Sequence, residues 1–263
     1  MPSIPCARAG FSALTPGNPN TWGVSYREGQ VDRGLGLWVE CVWSRVGGER
    51  PDAYERIVPD GCMDLIWSEP AGVTAIGPNT TAFLSPLRPG TSVVGVRLHP
   101  GAAPSLFGVP APALRDGRAP AGALWGDPGA RLEEHVASAA TPDERLRRLV
   151  AFIAERARQG GPPDPLVGAA VARLGRAPVG DVARELAVSE RHLRRLVNAE
   201  VGYGPKRLGR VLRLRLALAR VRAGAELAEV AFGCGYADQA HFTNDCNALA
   251  GLPPGRFLQD RAA

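Results

Sequence analysis

The feature that most constrains this chain is a helical pattern it carries twice. In PVGDVARELAVSERHLRRLVNAEVGYG (178–204), Val179, Val182, Ala183 and Leu186 recur at i, i+3, i+4 and i+7, the spacing of one apolar helix face. Ala187 and Val188 make a corner. Ser189 is placed to cap a second helix, and Glu190 suits the positive end of its dipole. That helix is expected to bury Leu193, Leu196 and Val197 and to leave Arg191, Arg194 and Arg195 outside. The stretch ELAEVAFGCGYADQAHFTNDCNALAGLPPGRF (226–257) repeats the design. Val230 and Ala231 stand for Val182 and Ala183, Asp238 caps in the place of Ser189, and Phe242 follows it by four residues as Leu193 follows Ser189. Gly233 and Gly235 offer a tight corner with access to left-handed dihedrals. Between the copies, GPKRLGRVLRLRLALARVRAG reads as one helix, with Pro205 near its start and Gly224 at its end. From Pro205 to Ala223 such a rod spans roughly 28 Å at about 1.5 Å per residue. That length suits two reading helices set about one duplex turn, ~34 Å, apart on one side of DNA.

Charge agrees with the pattern. The formal net charge of +5 lies wholly in residues 164–263, since residues 1–163 hold equal numbers of basic and acidic side chains. Within 173–222 there are thirteen basic and four acidic residues, whereas 223–263 has two and five. A basic block of that density points to a polyanion, and nucleic acid is the natural one. A solvated helix face is the plainer explanation for a charge run, but the corner geometry favours DNA.

At these residues the chain resembles the AraC/XylS type of bacterial transcription regulators, over about 166–258. VARELAVSERHLRRLV, GYGPKRLGRVLRLRLAL and LAEVAFGCGYADQAHFTNDCNALAGLPPGRF follow the family's signature almost throughout. The resemblance implies DNA contacts from Arg191, Arg194 and Arg195 in the first reading helix and from Gln239, Ala240, His241 and Asn244 in the second. Ser189, His192, Lys206 and Arg210 join them as candidates. Relatives usually carry Arg at the place of Asn244 and a basic residue at that of Asn247, so the chain departs from the pattern there. Asn and Gln can pair with adenine through two hydrogen bonds, each good pair giving about 1–3 kcal/mol of discrimination. The opposite reading is that the second motif docks weakly, because Asp245 and the local acidic balance repel phosphate; the balance tips slightly to this reading.

The first half has a different texture. From Leu37 to about Leu98, short apolar runs broken by Gly, Pro and Asp turns suggest an antiparallel barrel or sandwich. In GLWVECVWSRV the alternation puts Leu37, Val39, Cys41 and Trp43 on one face. In PDGCMDLIW, Asp60, Cys62 and Asp64 alternate against Met63, Leu65 and Trp67, and Arg97 shares a face with His99. Asp60, Cys62, Asp64, Trp67, Arg97 and His99 are therefore the candidate lining of a cavity for a polar effector. Salt bridges or solvent exposure explain the charged ones equally well, and the five tryptophans (Trp22, Trp38, Trp43, Trp67, Trp125) more often fill a core than line a pocket. After Pro100 a helical turn and a Pro/Gly-rich loop to Asp127 are expected, then helices over 128–139 and 142–159. The segments VPDGCMDLIW and RLHPGAAPSLFGVPAPALRDGRAP resemble a poorly characterised N-terminal domain found on a subset of these regulators, itself akin to the family's cupin-like sensory domain. That likeness implies sensing or dimerisation and names no ligand.

The expected organisation is α+β. A β-rich, cupin-like sensor or dimerisation domain spans 1–126, connecting helices span 127–160, and an all-α double helix-turn-helix domain spans 161–263, entered through QGGPPDP (159–165). The expected partner is double-stranded DNA, with a small-molecule effector, RNA polymerase and a second copy of the chain as further candidates. No cofactor and no metal are expected: the five cysteines (Cys6, Cys41, Cys62, Cys234, Cys246) are widely spaced, without CxxC or zinc-finger spacing. Reduced, partly buried thiols are the plainer reading, with a redox or metal-sensing role for Cys41 or Cys62 left open. An enzyme is the rival class, specifically a DNA-repair alkyl acceptor, but it needs a reactive thiolate that this spacing does not offer. A ligand-binding protein with a decayed DNA half is a third reading, opposed by the intact arginines. No apolar run approaches the roughly 20 residues of a bilayer span, and MPSIPCARAGFSALTPG lacks the basic start and apolar stretch of a secretory signal, so a cytoplasmic location is expected.

Overall fold

The structure, a computed structural model, describes residues 10–16, 25–48 and 53–259. Cys6 and Trp22 lie outside the described residues. The architecture is α+β, with an antiparallel β-sheet unit first and an all-α unit second. The strands are β1 (Thr15–Pro16), β2 (Ser25–Gly29), β3 (Val39–Val46), β4 (Ala53–Ile57), β5 (Met63–Ser68), β6 (Gly72–Ile76), β7 (Phe83–Leu87), β8 (Ser92–Leu98) and β9 (Arg118–Pro120). Seven of them form one sheet in the order β1-β2-β3-β8-β5-β6-β9, every pair antiparallel, while β4 and β7 pair as a second, two-stranded sheet.

Alternation explains the two faces of the large sheet. Met63, Leu65 and Trp67 of β5 and Val94, Val96 and Leu98 of β8 are buried on one side, and Asp64, Ile66 and Arg97 point to the other. Strand β3 breaks the simple pattern. Its register shifts between Val39, opposite Leu98, and Cys41, opposite Arg97. This bulge sends Val39 to the core face and Cys41 and Trp43 to the opposite face. The expected shared face of Leu37, Val39, Cys41 and Trp43 is corrected accordingly, and Leu37 is 65% exposed before the strand begins.

Helices cover the core face: α1 (Ala103–Phe107), α2 (Ala121–Trp125), α3 (Asp127–Ala137) and α4 (Pro142–Gly160). In α4 the 3.6-residue period turns Leu146, Leu149, Val150 and Ile153 inward, all fully buried against Val42, Leu65, Val94 and Val96. Thr141 starts that helix, its Oγ1 accepting from the Glu144 amide at 3.2 Å, with Pro142 in the first turn. Because α3 and α4 lend Leu132, Val136 and these residues to the sheet's own core, the span 127–160 is part of the first packing unit. The stretch expected as loop up to Asp127 holds β9 and α2.

A second core begins after residues 161–164. It is built from α5 (Pro165–Leu174), α6 (Val179–Glu185), α7 (Glu190–Val201), α8 (Pro205–Arg222), α9 (Leu227–Gly233), α10 (Gln239–Ala250) and α11 (Pro254–Gln259). Helix α8 runs through its centre, burying Leu208, Val211, Leu214, Ala217, Leu218 and Val221. The two units touch along polar contacts. The Ala82 amide donates to the Leu249 carbonyl at 2.8 Å, Arg207 Nη2 to the Thr80 carbonyl at 3.0 Å, and Arg115 Nη1 to the Gly202 carbonyl at 3.2 Å. Among the described residues no helix is long and apolar enough to cross a membrane.

Candidate nucleic-acid interface and the cavity between the domains

Both expected corners form. After α6, Ala187 takes a left-handed conformation at φ 55°, and the Val188 amide closes back onto the Ala183 carbonyl at 3.0 Å. After α9, Gly235 does the same at φ 78°, and the Tyr236 amide closes onto Ala231 at 3.0 Å. The reading helices match closely. Each has 12 residues and each ends on a left-handed glycine, Gly202 or Gly251. Ser189 Oγ accepts from the His192 amide at 3.1 Å, and Asp238 Oδ1 from the His241 amide at 2.7 Å.

One extra residue, Ala237, lies between the second corner and its cap, so residues of α7 recur in α10 49 positions later. Ala240, Thr243 and Asn244 thus occupy the places of Arg191, Arg194 and Arg195, and none carries charge. All three arginines of α7 are exposed. Arg191 has no ion-pair or hydrogen-bond partner among the described residues. Arg194 meets Glu190 at 2.9 Å across a turn, and Arg195 Nη2 approaches His192 Nδ1 at 3.3 Å. Pairs this exposed contribute about 0.2–1 kcal/mol and release readily to a phosphate. On α10, Gln239, Ala240, Asn244 and Asn247 are exposed. His241 is tied down, its ring edge-on to Tyr236 at 5.1 Å and its Nδ1 accepting from the Ala237 amide at 3.3 Å, which leaves Nε2 as the ring nitrogen without that contact. Lys206 is exposed near the start of α8.

Two expectations need correction. Arg210, although its side chain is 38% exposed, is tied to Asp245: its Nε and Nη2 both donate to Asp245 Oδ1, at 3.0 and 2.7 Å. Asp245, expected to repel phosphate from the surface, is only 5% exposed. Its charge is answered by Arg210, and Arg213 Nη2 lies 3.9 Å from Oδ2. At least six of the thirteen basic residues in 173–222 pair with carboxylates (Arg173, Arg184, Arg194, Arg210, Arg213, Arg215), so the outward field is weaker than the raw balance implies.

The other feature is a cavity of about 870 Å³ between the large sheet, the β4–β7 sheet and α8. That is within the range of small-molecule sites, ~300–1,000 Å³. Its floor is the outer face of the large sheet. Trp43 lies flat over Gly95, where a Cβ would come within 2.5 Å of the indole, so only glycine lets the ring bed down. Trp43 Nε1 donates to Asp64 Oδ1 at 2.9 Å, and Arg97 Nε reaches the same oxygen at 3.2 Å. Asp60 Oδ2 is 3.6 Å from Arg97 Nη1. Burial pushes the Asp64 carboxyl above its usual range although Arg97 opposes the shift. Burial works against the Arg97 charge, but Asp64 and Asp60 outweigh it and hold the guanidinium firmly protonated. Arg45 bridges the two sheets through Glu55 and, at 3.2 Å, Ser85. Arg215, Leu218 and Arg222 of α8 and Phe257 of α11 complete the wall.

Of the six residues expected to line an effector site, Asp60, Asp64 and Arg97 line this cavity, and Cys62, Trp67 and His99 lie outside it. Trp67 is on the core face with the Arg145 guanidinium 3.8 Å over its ring. Cys62 turns to the domain contact, its Sγ 3.1 Å from Glu40 Oε2 and 3.8 Å from Arg215 Nη1. His99 Nδ1 is 3.9 Å from the same Glu40 carboxylate, and Glu40 in turn pairs with Arg215. Burial acts to raise the Glu40 carboxyl, yet the Arg215 guanidinium prevails and holds it below its usual value. Burial also drives the Cys62 thiol well above its ordinary range, and the Cys41 thiol to about 12. Tyr26, Trp43 and Arg215 were missed by sequence reasoning. For Trp43 the obstacle was the bulge; for Arg215, nothing local marks a partner so distant in sequence. Among the described residues no group of three or more His, Cys, Asp or Glu could hold a metal ion.

Residues 182–260 match the family described as a helix-turn-helix domain, and residues 30–120 match one described as a domain of unknown function (DUF6597). Residues 182–260 are thus a helix-turn-helix domain of the AraC type. A domain of this type supports DNA-binding transcription regulation as the role of the chain. No curated protein matches the chain. Among solved structures it is similar to ToxT from Vibrio cholerae, at 13% identity over 84% of this chain and 97% of that one, with a TM-score of 0.43. A ToxT from Vibrio cholerae bound to an unsaturated fatty acid is 12% identical over 82% of this chain and 93% of that one, with a TM-score of 0.40.

Proposed function

We propose that the chain is a sequence-specific, double-stranded-DNA-binding transcription regulator that reads two adjacent sub-sites, one with α7 and one with α10, under the control of a small polar effector held in the cavity. One observation carries the reading: α8 bears both reading motifs and also forms a wall of the cavity through Arg215, Leu218 and Arg222. A ligand that fills the cavity therefore touches the rod on which both motifs are mounted. The division of labour between the motifs follows from their surfaces. Helix α7 supplies guanidiniums that grip phosphate or fork onto guanine O6 and N7, whereas α10 offers Gln239, His241 and Asn244, uncharged groups suited to base edges. The cavity's mixed lining of carboxylates, guanidiniums and aromatic rings suits a small molecule with several hydrogen-bonding groups.

The test is selection of bound genomic fragments with the purified chain at two salt concentrations, followed by footprinting. Salt-sensitive protection over two sub-sites on one side of the duplex is the expected result, and its absence removes the reading. Arg191→Ala and Arg195→Ala should weaken binding on all sequences and flatten the slope of log K against log salt by roughly 0.9 per lost phosphate contact. Gln239→Ala should change sequence preference by about 1–3 kcal/mol at one base pair with little general loss. Uniform loss on every sequence from Gln239→Ala would contradict its role. For the cavity, a screen of polar metabolites by thermal shift should yield a stabilising compound whose effect disappears in Arg97→Ala.

A further inference from the structure

We infer that Asp245 is a positioning residue for the second reading helix, fixing α10 on the α8 rod through Arg210 and Arg213; this rests on the two-sub-site reading above. The corresponding place in α7 is Leu196, which packs against the second core. A carboxylate in a position that the sister motif fills with leucine needs a physical reason, because a buried charge is costly unless paired and hydrogen-bonded. Here the pairing is specific. Arg210 and Arg213 lie three apart on one face of α8. Arg210 places two N–H groups on Oδ1, while Arg213 faces Oδ2 at 3.9 Å.

Arg213 does more than balance charge. Its Nη1 donates to the carbonyl of Gly235 at 3.1 Å, the residue that turns the corner, and its guanidinium lies 4.7 Å from the centre of the Tyr236 ring. Corner, following aromatic and mid-helix carboxylate are thus all tied to two adjacent side chains of the rod. A leucine in the same place would slide against its neighbours with little directional preference, whereas bonds from a planar guanidinium fix height and tilt together. The absence of arginine on the outer face of α10 makes that precision matter. A helix that grips phosphate through long cations tolerates small displacements, but short Gln and Asn side chains reach base edges only from a set position.

The experiment uses the full chain on a duplex carrying both sub-sites selected by the wild-type protein. Asp245→Leu restores the apolar residue of the sister motif but removes only one partner of the pair, so it should lower the melting temperature somewhat. The loss is limited because the Arg210 and Arg213 side chains are 38% and 23% exposed and can be rehydrated, and the variant should stay folded at the temperature of the binding assay. It should nonetheless cost about ten-fold or more in protection of the second sub-site, with the first unchanged. Its preference for the spacing between sub-sites, tested by inserting one or two base pairs, should relax. Asp245→Asn, which keeps the shape, should behave alike and guards against a folding defect in the first variant. Three outcomes overturn the assignment. They are unchanged binding, equal weakening at both sub-sites, and stronger binding with a steeper salt slope, which would make Asp245 a mask over two phosphate-seeking arginines. Wild-type protection confined to one sub-site would remove the two-sub-site reading itself, and this assignment with it, before any variant is made.

Discussion

Arg191, Arg194 and Arg195 were legible from the sequence because helical periodicity alone decides which side of a capped helix they take, and all three are exposed. Asp245 was not legible in the same way. A lone acid in a helix reads as solvent-facing, and only its place opposite Leu196, together with an arginine pair three apart on α8, could have marked it as inward. The cysteines follow a similar logic. Wide spacing suggested inert thiols, and Cys41, Cys62, Cys234 and Cys246 are all buried and free. Burial raises every one of them, Cys246 to about 12 with Asp245 adding to the effect. Because the thiolate is the nucleophile, these four side chains should resist an alkylating agent such as iodoacetamide at pH 7.5 in the folded protein and react fully after denaturation. Peptide mass spectrometry reads both states. Fast native labelling of Cys62 or Cys41 would reopen the thiol-chemistry alternatives, including the alkyl acceptor.

Among the elements, the long helices were the most legible, since α4, α7, α8 and α10 each have a repeating apolar stripe and identifiable caps. Short pieces rich in Pro and Gly were the least: β9 and α2 hold three and five residues, too few for periodicity to stand out. The face of β3 was misread because a bulge is one extra residue, invisible to an alternation count. The two corners give an element-level prediction. Ala187 and Gly235 adopt the same left-handed turn, but alanine bears a cost there of about 1–2 kcal/mol that glycine avoids. Glycine in turn loses roughly 0.5–1 kcal/mol more chain entropy on folding. Ala187→Gly should therefore stabilise the second core by up to about 1 kcal/mol. A Cβ at Gly235 meets nothing within 4 Å, so Gly235→Ala bears only the dihedral cost and should destabilise by about 1 kcal/mol. Chemical denaturation of the two variants measures both signs. Opposite signs at sister positions are the critical outcome; equal signs would mean that local packing outweighs the backbone.

For the whole molecule, neither the contact between the halves nor its partners was legible, because Glu40 and Arg215 are 175 residues apart and each looks like an ordinary surface charge. Yet this pair joins the seven-stranded sheet to the rod, with Cys62, His99 and Arg97 around the carboxylate. Its net lowered pKa sets the sign of the pH response. A carboxyl depressed in the folded state lends stability that is present above its unfolded value, near 4.5, and is lost as pH falls through the lower folded value. At neutral pH the ion pair is intact, and the halves should unfold in one calorimetric transition. As pH falls through the lowered folded value, protonation of Glu40 should loosen the contact and separate the transitions of the two cores. Arg215→Ala should produce that separation already at pH 7. Its cost should be about 1–2 kcal/mol, between the values for exposed and buried pairs because Arg215 is 41% exposed and Glu40 21%. Glu40→Gln removes the titrating group, so its melting profile should be split at neutral pH and change little on further acidification. Should Glu40→Gln still show the full acid-induced separation, other carboxylates at the interface, and not this pair, couple the rod to the sheet.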